Sequence, residues 1–286
     1  MAALTWAEFS KNIGRQFDGM KVNPCDYYLE PFRIYGNVYY VGDQLASPML
    51  IDTGEGLILI DTGFSTAQAM LVDSIYRLHF DPRDVKIVLH SHGHMDHYGA
   101  TKFFQRVCGA QAWLHPADAE LFKKYPETFE FGGDLVPPFE PDALYTDGQV
   151  ISLGNTSIRV VHTPGHSPGA VSFFFNVTKN GVTRLAGLPG CIGRNTLFRH
   201  EFERLHYPET TPQDFLDSMD KIMDEPVELW LGSHPTKYHN DALAKRTKML
   251  EDPDGPNPFI VDPSEWKAYI CRMRDSMVDI VANGCI

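Results

Sequence analysis

A chain of 286 residues with 43% hydrophobic and 22% charged side chains has a globular balance and enough length for a substantial core, in one large domain or two small ones. No window approaches the roughly 18 apolar residues of a membrane helix, and a formal charge of -12 repels nucleic acid and anionic membranes over most of the surface. Five scattered cysteines (Cys25, Cys108, Cys191, Cys271, Cys285), odd in number and without CxxC spacing, read as reduced thiols. The opening residues lack a basic start, an apolar stretch and a small-residue cleavage site. No signal peptide is expected, and the location is cytoplasmic, or periplasmic or secreted if a leader precedes this sequence.

Residues 1 to 30 form an N-terminal extension with one short helix near Trp6 to Phe17 and a loop through Pro24 and Pro31. Strand character begins at Phe32 and runs to Val41 around a turn at Gly36-Asn37. Ser47 to Asp52 and Gly56 to Asp61 are two apolar runs joined by Thr53-Gly54-Glu55-Gly56, a hairpin. Ser65 to Phe80 is helical, with Ser65 as its N-cap. A buried strand ends at Leu89, a helix follows from Tyr98 to Val107, then a strand from Gln111 to His115 and a helix from Pro116 to Lys124. Residues 125 to 147 have no clear period, and a loop of that length is expected to be a lid or substrate wall.

The second half repeats the style. Gln149 to Leu153, Ser157 to His162, Ala170 to Val177 and Val182 to Ala186 are strands, with Lys179-Asn180-Gly181 a hairpin turn. Thr211 to Met223 is a helix, Val227 to Leu231 a buried strand and Asp241 to Leu250 a helix. Asp262-Pro263-Ser264-Glu265 opens a last amphipathic helix, about 263 to 281. Two βα halves with helical covers suggest two sheets packed face to face inside helices. No linker divides them, so 1 to 286 is expected to be one domain.

Ile87-Val88-Leu89-His90-Ser91-His92-Gly93-His94-Met95-Asp96-His97 organises the chain chemically. An apolar strand stops in a loop that holds four of the twelve histidines within eight residues. A packed histidine cluster repels itself when protonated and offers a core little, so the loop reads as a metal site. His92 and His94 turn toward one ion, and Asp96 and His97 toward a second. A catalytic zinc keeps three protein ligands and one open position, so each ion needs one more. His166, in the rigid turn His162-Thr163-Pro164-Gly165-His166, and His234, in Leu231-Gly232-Ser233-His234-Pro235, both follow strands and supply them. His162 and His90, at strand ends, are buried or support the site from outside. Ser91, Ser233 and Cys191 have no activating base and are read as structural. Arg194, Asn195 and Tyr98 are candidates for the pocket wall, with surface solvation the alternative.

The spacing His-x-His-x-Asp-His resembles the signature of the metallo-β-lactamase superfamily. So do Ile60-Asp61-Thr62-Gly63, the His-Thr-Pro-Gly-His turn and the His234 strand end, in matching order. Phe32 to Gly42 and Asn257-Pro258-Phe259-Ile260 resemble subclass three (B3) of the class B β-lactamases. The resemblance implies a four-layer αββα sandwich and two Zn2+ ions with a hydroxide between them. It gives Asp61 an orienting role behind the metal loop, where a turn or cap role is the alternative from sequence alone. It also implies that Asp96, His97 and His234 form the second ligand set, because Leu185 to Cys191 lacks the bridging acid of lactonases and glyoxalase II enzymes. Leu188 and Gly190 stand where subclass three places serines. The implied reaction is hydroxide attack on a carbonyl, with Asp96 holding the second metal and orienting the nucleophile. A small-molecule substrate is expected and a nuclease is disfavoured by charge. Opening of a cyclic amide leads; hydrolysis of lactones, esters or thioesters is the alternative, ahead of a di-iron redox protein or a silent metal binder.

Overall fold

The computed structural model describes residues 17–128, 130–131, 134–190 and 192–283. The helix expected near Trp6 to Phe17 lies almost wholly outside these; 17–22 are helical. The first sheet contains β1 (Phe32–Tyr35), β2 (Val38–Tyr40), β3 (Met49–Asp52), β4 (Leu57–Ile60), β5 (Val85–Leu89), β6 (Gln111–Leu114) and, beyond a small ribbon of β7 (Glu130–Phe131) and β8 (Asp134–Leu135), β9 (Ala143–Leu144). The second contains β10 (Val150–Leu153), β11 (Thr156–His162), β12 (Val171–Lys179), β13 (Val182–Leu188) and β14 (Leu229–Trp230). In each sheet antiparallel hairpins give way to parallel pairing, from β4 onward in the first and at β13 and β14 in the second.

Alternation along the strands builds the layers. Ile58 and Ile60 of β4 enter a core shared with Val160, Phe173 and Phe175 of the second sheet. Leu57 and Leu59 face the other way, onto Leu71 and Ile75 of α1 (Gln68–Arg77) and Phe122 of α2 (Pro116–Lys124). Phe174, between two inward phenylalanines, turns outward to Phe215 and Met219 of α3 (Thr211–Ile222) and Trp266 and Ile270 of α5 (Pro263–Ala282). Three apolar seams therefore separate four layers, the αββα sandwich expected from sequence. Each fully buried Leu, Ile or Phe contributes roughly 1.5–3 kcal/mol to holding them together. A further helix, α4 (Ala242–Glu251), follows β14.

Local chemistry sets the ends of these elements. Asn180 and Gly181, both at positive φ, close the β12–β13 hairpin between paired Lys179 and Val182. Asp262 caps α5 by accepting from the Ser264 N–H, while Glu265 accepts from the Asp262 N–H. The helix expected from Tyr98 starts earlier: Met95–Tyr98 is helical within the metal loop, followed by Thr101–Phe103 and a wider π turn, Phe104–Cys108. The unperiodic stretch 125–147 is partly core. Val136 and Phe139 are buried and Ala143–Leu144 adds an edge strand. A two-residue strand leaves no alternation to read in sequence.

The strand ends fix where chemistry gathers. β4 delivers Asp61, β5 delivers the loop with His92 to His97, β11 leads into the turn of His166, and β14 leads to His234.

Candidate metal centre

The loop after β5 hangs from Asp61. This residue is buried, sits at φ 58° in the left-handed region and accepts from the Ser91 N–H (2.8 Å), the Ser91 hydroxyl (2.8 Å) and Nδ1 of His97 (2.8 Å). Asp tolerates left-handed backbone better than most residues. The Thr62 N–H donates to the His97 carbonyl, which fixes the short helix of Met95–Tyr98. Asp96 and His97 sit on this helix, whereas His92 and His94 precede it, so the two pairs turn to different sides.

Donor atoms of His92, His94 and His166 all lie within 4.8 Å of one another, and so do those of Asp96, His97 and His234. In the first group His94 Nδ1 is 3.0 Å from His166 Nε2. In the second, His97 Nε2 is 3.3 Å from His234 Nε2, and Asp96 Oδ2 is 3.5 and 3.6 Å from these nitrogens. The ring centroids of His92 and His97 are 4.0 Å apart, so the groups adjoin. All six residues expected from sequence are brought together.

Whether these residues fit a metal is decided by their outward-facing atoms. The His234 Nδ1–H donates to the Leu45 carbonyl (2.6 Å), and the His97 Nδ1–H donates to Asp61. Ser91 spends its proton on Asp61 and so accepts from His92 Nδ1 (3.0 Å); Thr196 spends its proton on the His166 carbonyl and accepts from His166 Nδ1 (3.3 Å). Four rings thus have their outer nitrogen committed and aim Nε2 inward. His94, whose Nε2 meets the Tyr207 hydroxyl at 2.8 Å, aims Nδ1 inward instead. His92 Nε2 is buried with no hydrogen-bond partner. An orphaned imidazole nitrogen facing other imidazoles is costly unless a cation shares the space. The donor set fits a divalent metal.

The protonation states agree. Burial, reinforced by the neighbouring imidazoles, holds His92 and His166 well below the ordinary histidine range. Burial likewise pushes His94 down to about 4 and lowers His234. Burial would lower His97 too, but Asp96 and Asp61 overcome it and lift His97 to about 10. For Asp96, burial works upward, and His97, His234 and His94 together hold it well below the usual carboxylate range. The centre therefore presents neutral imidazoles, an ionised carboxylate and one proton, on His97, for a cation to displace.

His90 lies outside the donor set. It is fully buried, bonds the Trp113 carbonyl through Nδ1 (2.9 Å) and Thr101 Oγ1 through Nε2 (2.7 Å), and burial pushes it down to about 4. Because the folded value lies below the free value of about 6.5, the fold favours neutral His90. That stability is complete above pH 6.5 and is lost as pH falls toward 4, by about 3 kcal/mol from this residue alone. His92, His94 and His166 act in the same direction. The metal-free protein is expected to unfold between pH 6.5 and 4 in a circular-dichroism titration, and a chain still folded at pH 4 contradicts neutral burial.

His162 sits behind the turn, with Nε2 2.9 Å from the Pro168 carbonyl and its ring stacked on His115 at 3.8 Å; it touches none of the six donors in the contacts described. Tyr98 is buried and donates to the Val136 carbonyl. Arg194 donates to Ser276 of α5. Leu188 is fully buried in the inter-sheet core, and a Cβ at Gly190 would run into the Val171 carbonyl and Ser91, so position 188 faces the core and position 190 has no room for a side chain. Sequence reasoning missed Tyr207, Thr196 and the Leu45 carbonyl. Tyr207 is 113 residues from His94, and a carbonyl leaves no signature in residue type.

This chain belongs to the metallo-beta-lactamase superfamily, whose sequence profile matches residues 41–183. It is a hydrolase of that superfamily, and its His/Asp groups imply a divalent metal. It is similar to BJP-1, a subclass B3 metallo-beta-lactamase of Bradyrhizobium japonicum, with 28% identity and a TM-score of 0.80 over 90% of this chain and 96% of that one. Native FEZ-1 metallo-beta-lactamase from Legionella gormanii gives 27%, 0.80, 90% and 97%. By sequence it is 29% identical to the hydroxyacylglutathione hydrolase GloC of Haemophilus influenzae, over 55% of this chain and 73% of that one. A hydroxyacylglutathione hydrolase of Chelativorans sp. is 28% identical, and the match spans only 43% of its length. Among the described residues no helix is long and apolar enough to cross a membrane.

Proposed function

We propose that this protein is a binuclear zinc hydrolase that opens a cyclic amide, as a B3-type β-lactamase does. The observation that carries the reading is the adjoining pair of donor sets, three imidazoles beside an Asp-His-His group, with rings 4.0 Å apart where the sets meet. Likeness to B3 enzymes over 90% of the chain supports it. Imidazole and carboxylate donors suit zinc. Bound there, zinc would supply an acidified water and a Lewis acid for charge developing on oxygen.

The chain's own residues do the rest. His92, His94 and His166, neutral at working pH, hold the first position; Asp96, His97 and His234 hold the second. Asp96, ionised throughout that range, accepts a hydrogen of the attacking water and aims it at the carbonyl carbon. Asp61 and Ser91 keep the loop from drifting as charge moves. Ser91 is committed to Asp61, so no hydroxyl nucleophile is called for.

A second reading, hydrolysis of a thioester, ester or lactone, is favoured by the likeness to GloC and by the absence of serine at 188 and 190. A panel of nitrocefin, simple lactones and an acyl-glutathione thioester, run on zinc-loaded protein, separates them. Nitrocefin turnover is expected to exceed the others. Thioester or lactone opening without β-lactam turnover would overturn the first reading in favour of the second. Zinc occupancy with no rate above background would mark a silent metal binder, and elemental analysis of the protein as isolated that finds iron without zinc would favour a redox protein.

A further inference from the structure

One buried carboxylate outside the donor sets joins the two chain segments that build the first of them. Asp118, on the first turn of α2 and 1% exposed, accepts three hydrogen bonds. The Gly93 N–H, between His92 and His94, reaches Oδ2 at 2.7 Å. The Ser167 hydroxyl, next to His166, reaches the same oxygen at 2.7 Å, and the Gly169 N–H reaches Oδ1 at 2.7 Å. Nothing comparable links Asp118 to the second set, which is held by Asp61 and the Leu45 carbonyl.

The backbone around it is shaped for this approach. A Cβ on Gly93 would press on Asp118 Cβ at 3.0 Å, and one on Gly169 would lie 2.5 Å from Asp118 Cγ. Gly169 needs glycine because the carboxylate comes so close, and at Gly93 a Cβ fits only if Asp118 or Phe122 gives way by a few tenths of an ångström. Three charge-assisted bonds to two different turns fix a separation, since moving either turn breaks at least one of them inside a water-poor interior. The α2 N-terminus favours the negative charge where it sits.

We propose that Asp118 is the positioning residue of the first triad. By clamping the loop of His92 and His94 to the turn of His166, it sets the spacing of those three imidazoles and so governs metal affinity at that position, leaving the second position nearly unchanged. This rests on the two-ion reading above.

The test uses the full-length protein, zinc-buffered dialysis with elemental analysis, and cobalt substitution, whose visible spectrum distinguishes a three-imidazole site from an Asp-His-His site. Asp118→Asn keeps the shape but replaces one acceptor oxygen with an amide. It is expected to weaken the first site by about 10- to 100-fold, the range for outer partners of metal ligands, and to shift the second by less than about twofold on the same scale. Ser167→Ala, which removes a single buried donor, should move the first site in the same direction by less, with a lowered unfolding midpoint but a retained cooperative fold for the metal-free protein. If Asp118→Asn does not fold, Ser167→Ala decides. Equal weakening of both sites, or of neither, in the folded variant overturns the proposal. Wild-type protein that binds no zinc, or one ion only, overturns the two-ion reading instead.

Discussion

Replacing Asp96 with Ala is expected to lower hydrolysis of whatever substrate the panel identifies by about a thousandfold or more, a barrier increase of roughly 4 kcal/mol. The carboxylate is the sole anion within the second donor set and lies 3.5 Å from His97 and 3.6 Å from His234. Without it that position loses a ligand and its negative charge, and the attacking water loses its acceptor. The fold should survive. His97 keeps Asp61 as its partner, so no charge is stranded in the interior. Steady-state rates beside circular dichroism and metal content make the check. Turnover within tenfold of wild type in a folded Asp96→Ala protein would remove Asp96 from the mechanism.

Asp61→Ala should do the reverse, striking the fold harder than Asp96→Ala does. Its carboxylate is the acceptor for the Ser91 N–H and hydroxyl and for His97 Nδ1, all of them buried. Ala leaves these donors unsatisfied and places a Cβ-bearing residue without a polar side chain at φ 58°. The sum is about 3–5 kcal/mol of lost stability by urea unfolding of the metal-free protein. Asp61→Asn tolerates the same backbone and keeps one acceptor, so it should fall between Ala and wild type. An Asp61→Ala protein as stable as wild type would show that the loop is held by something else.

The contrast between these two aspartates shows what was legible in the sequence. Asp96 belongs to a spacing motif, and its partners His97 and His94 are near neighbours, so a close histidine cluster at a strand end announced the chemistry. The layers were legible for a similar reason: Leu57 to Ile60 and Phe173 to Phe175 are apolar throughout because both faces of each strand are covered, by a sheet on one side and helices on the other. Asp61 was half legible: the resemblance implied an orienting role and its own position allowed a turn residue equally, and its three donors at 2.8 Å decide for the first. Tyr207, Thr196 and Asp118 were invisible because they act on residues 25 or more positions away through polar atoms that no spacing motif marks. The boundary of the Met95–Tyr98 helix was missed because the glycine and histidines around it mask one turn of helix, and β9 because two residues show no period.

The six donors are drawn from both halves of the sandwich. The loop after β5 belongs to the first sheet, while His166 and His234 follow strands of the second, at sequence separations of 72 and 137 residues from their nearest partners. Bringing such distant segments to one point has an entropic cost that grows with the logarithm of the span, and a seated cation offsets it only in the folded chain. Occupancy and cohesion are thus one equilibrium. Metal starvation would therefore first loosen the edge of the sandwich where the turns of His166 and His234 meet the loop after β5, leaving the inter-sheet core and each sheet's own ladder of hydrogen bonds in place.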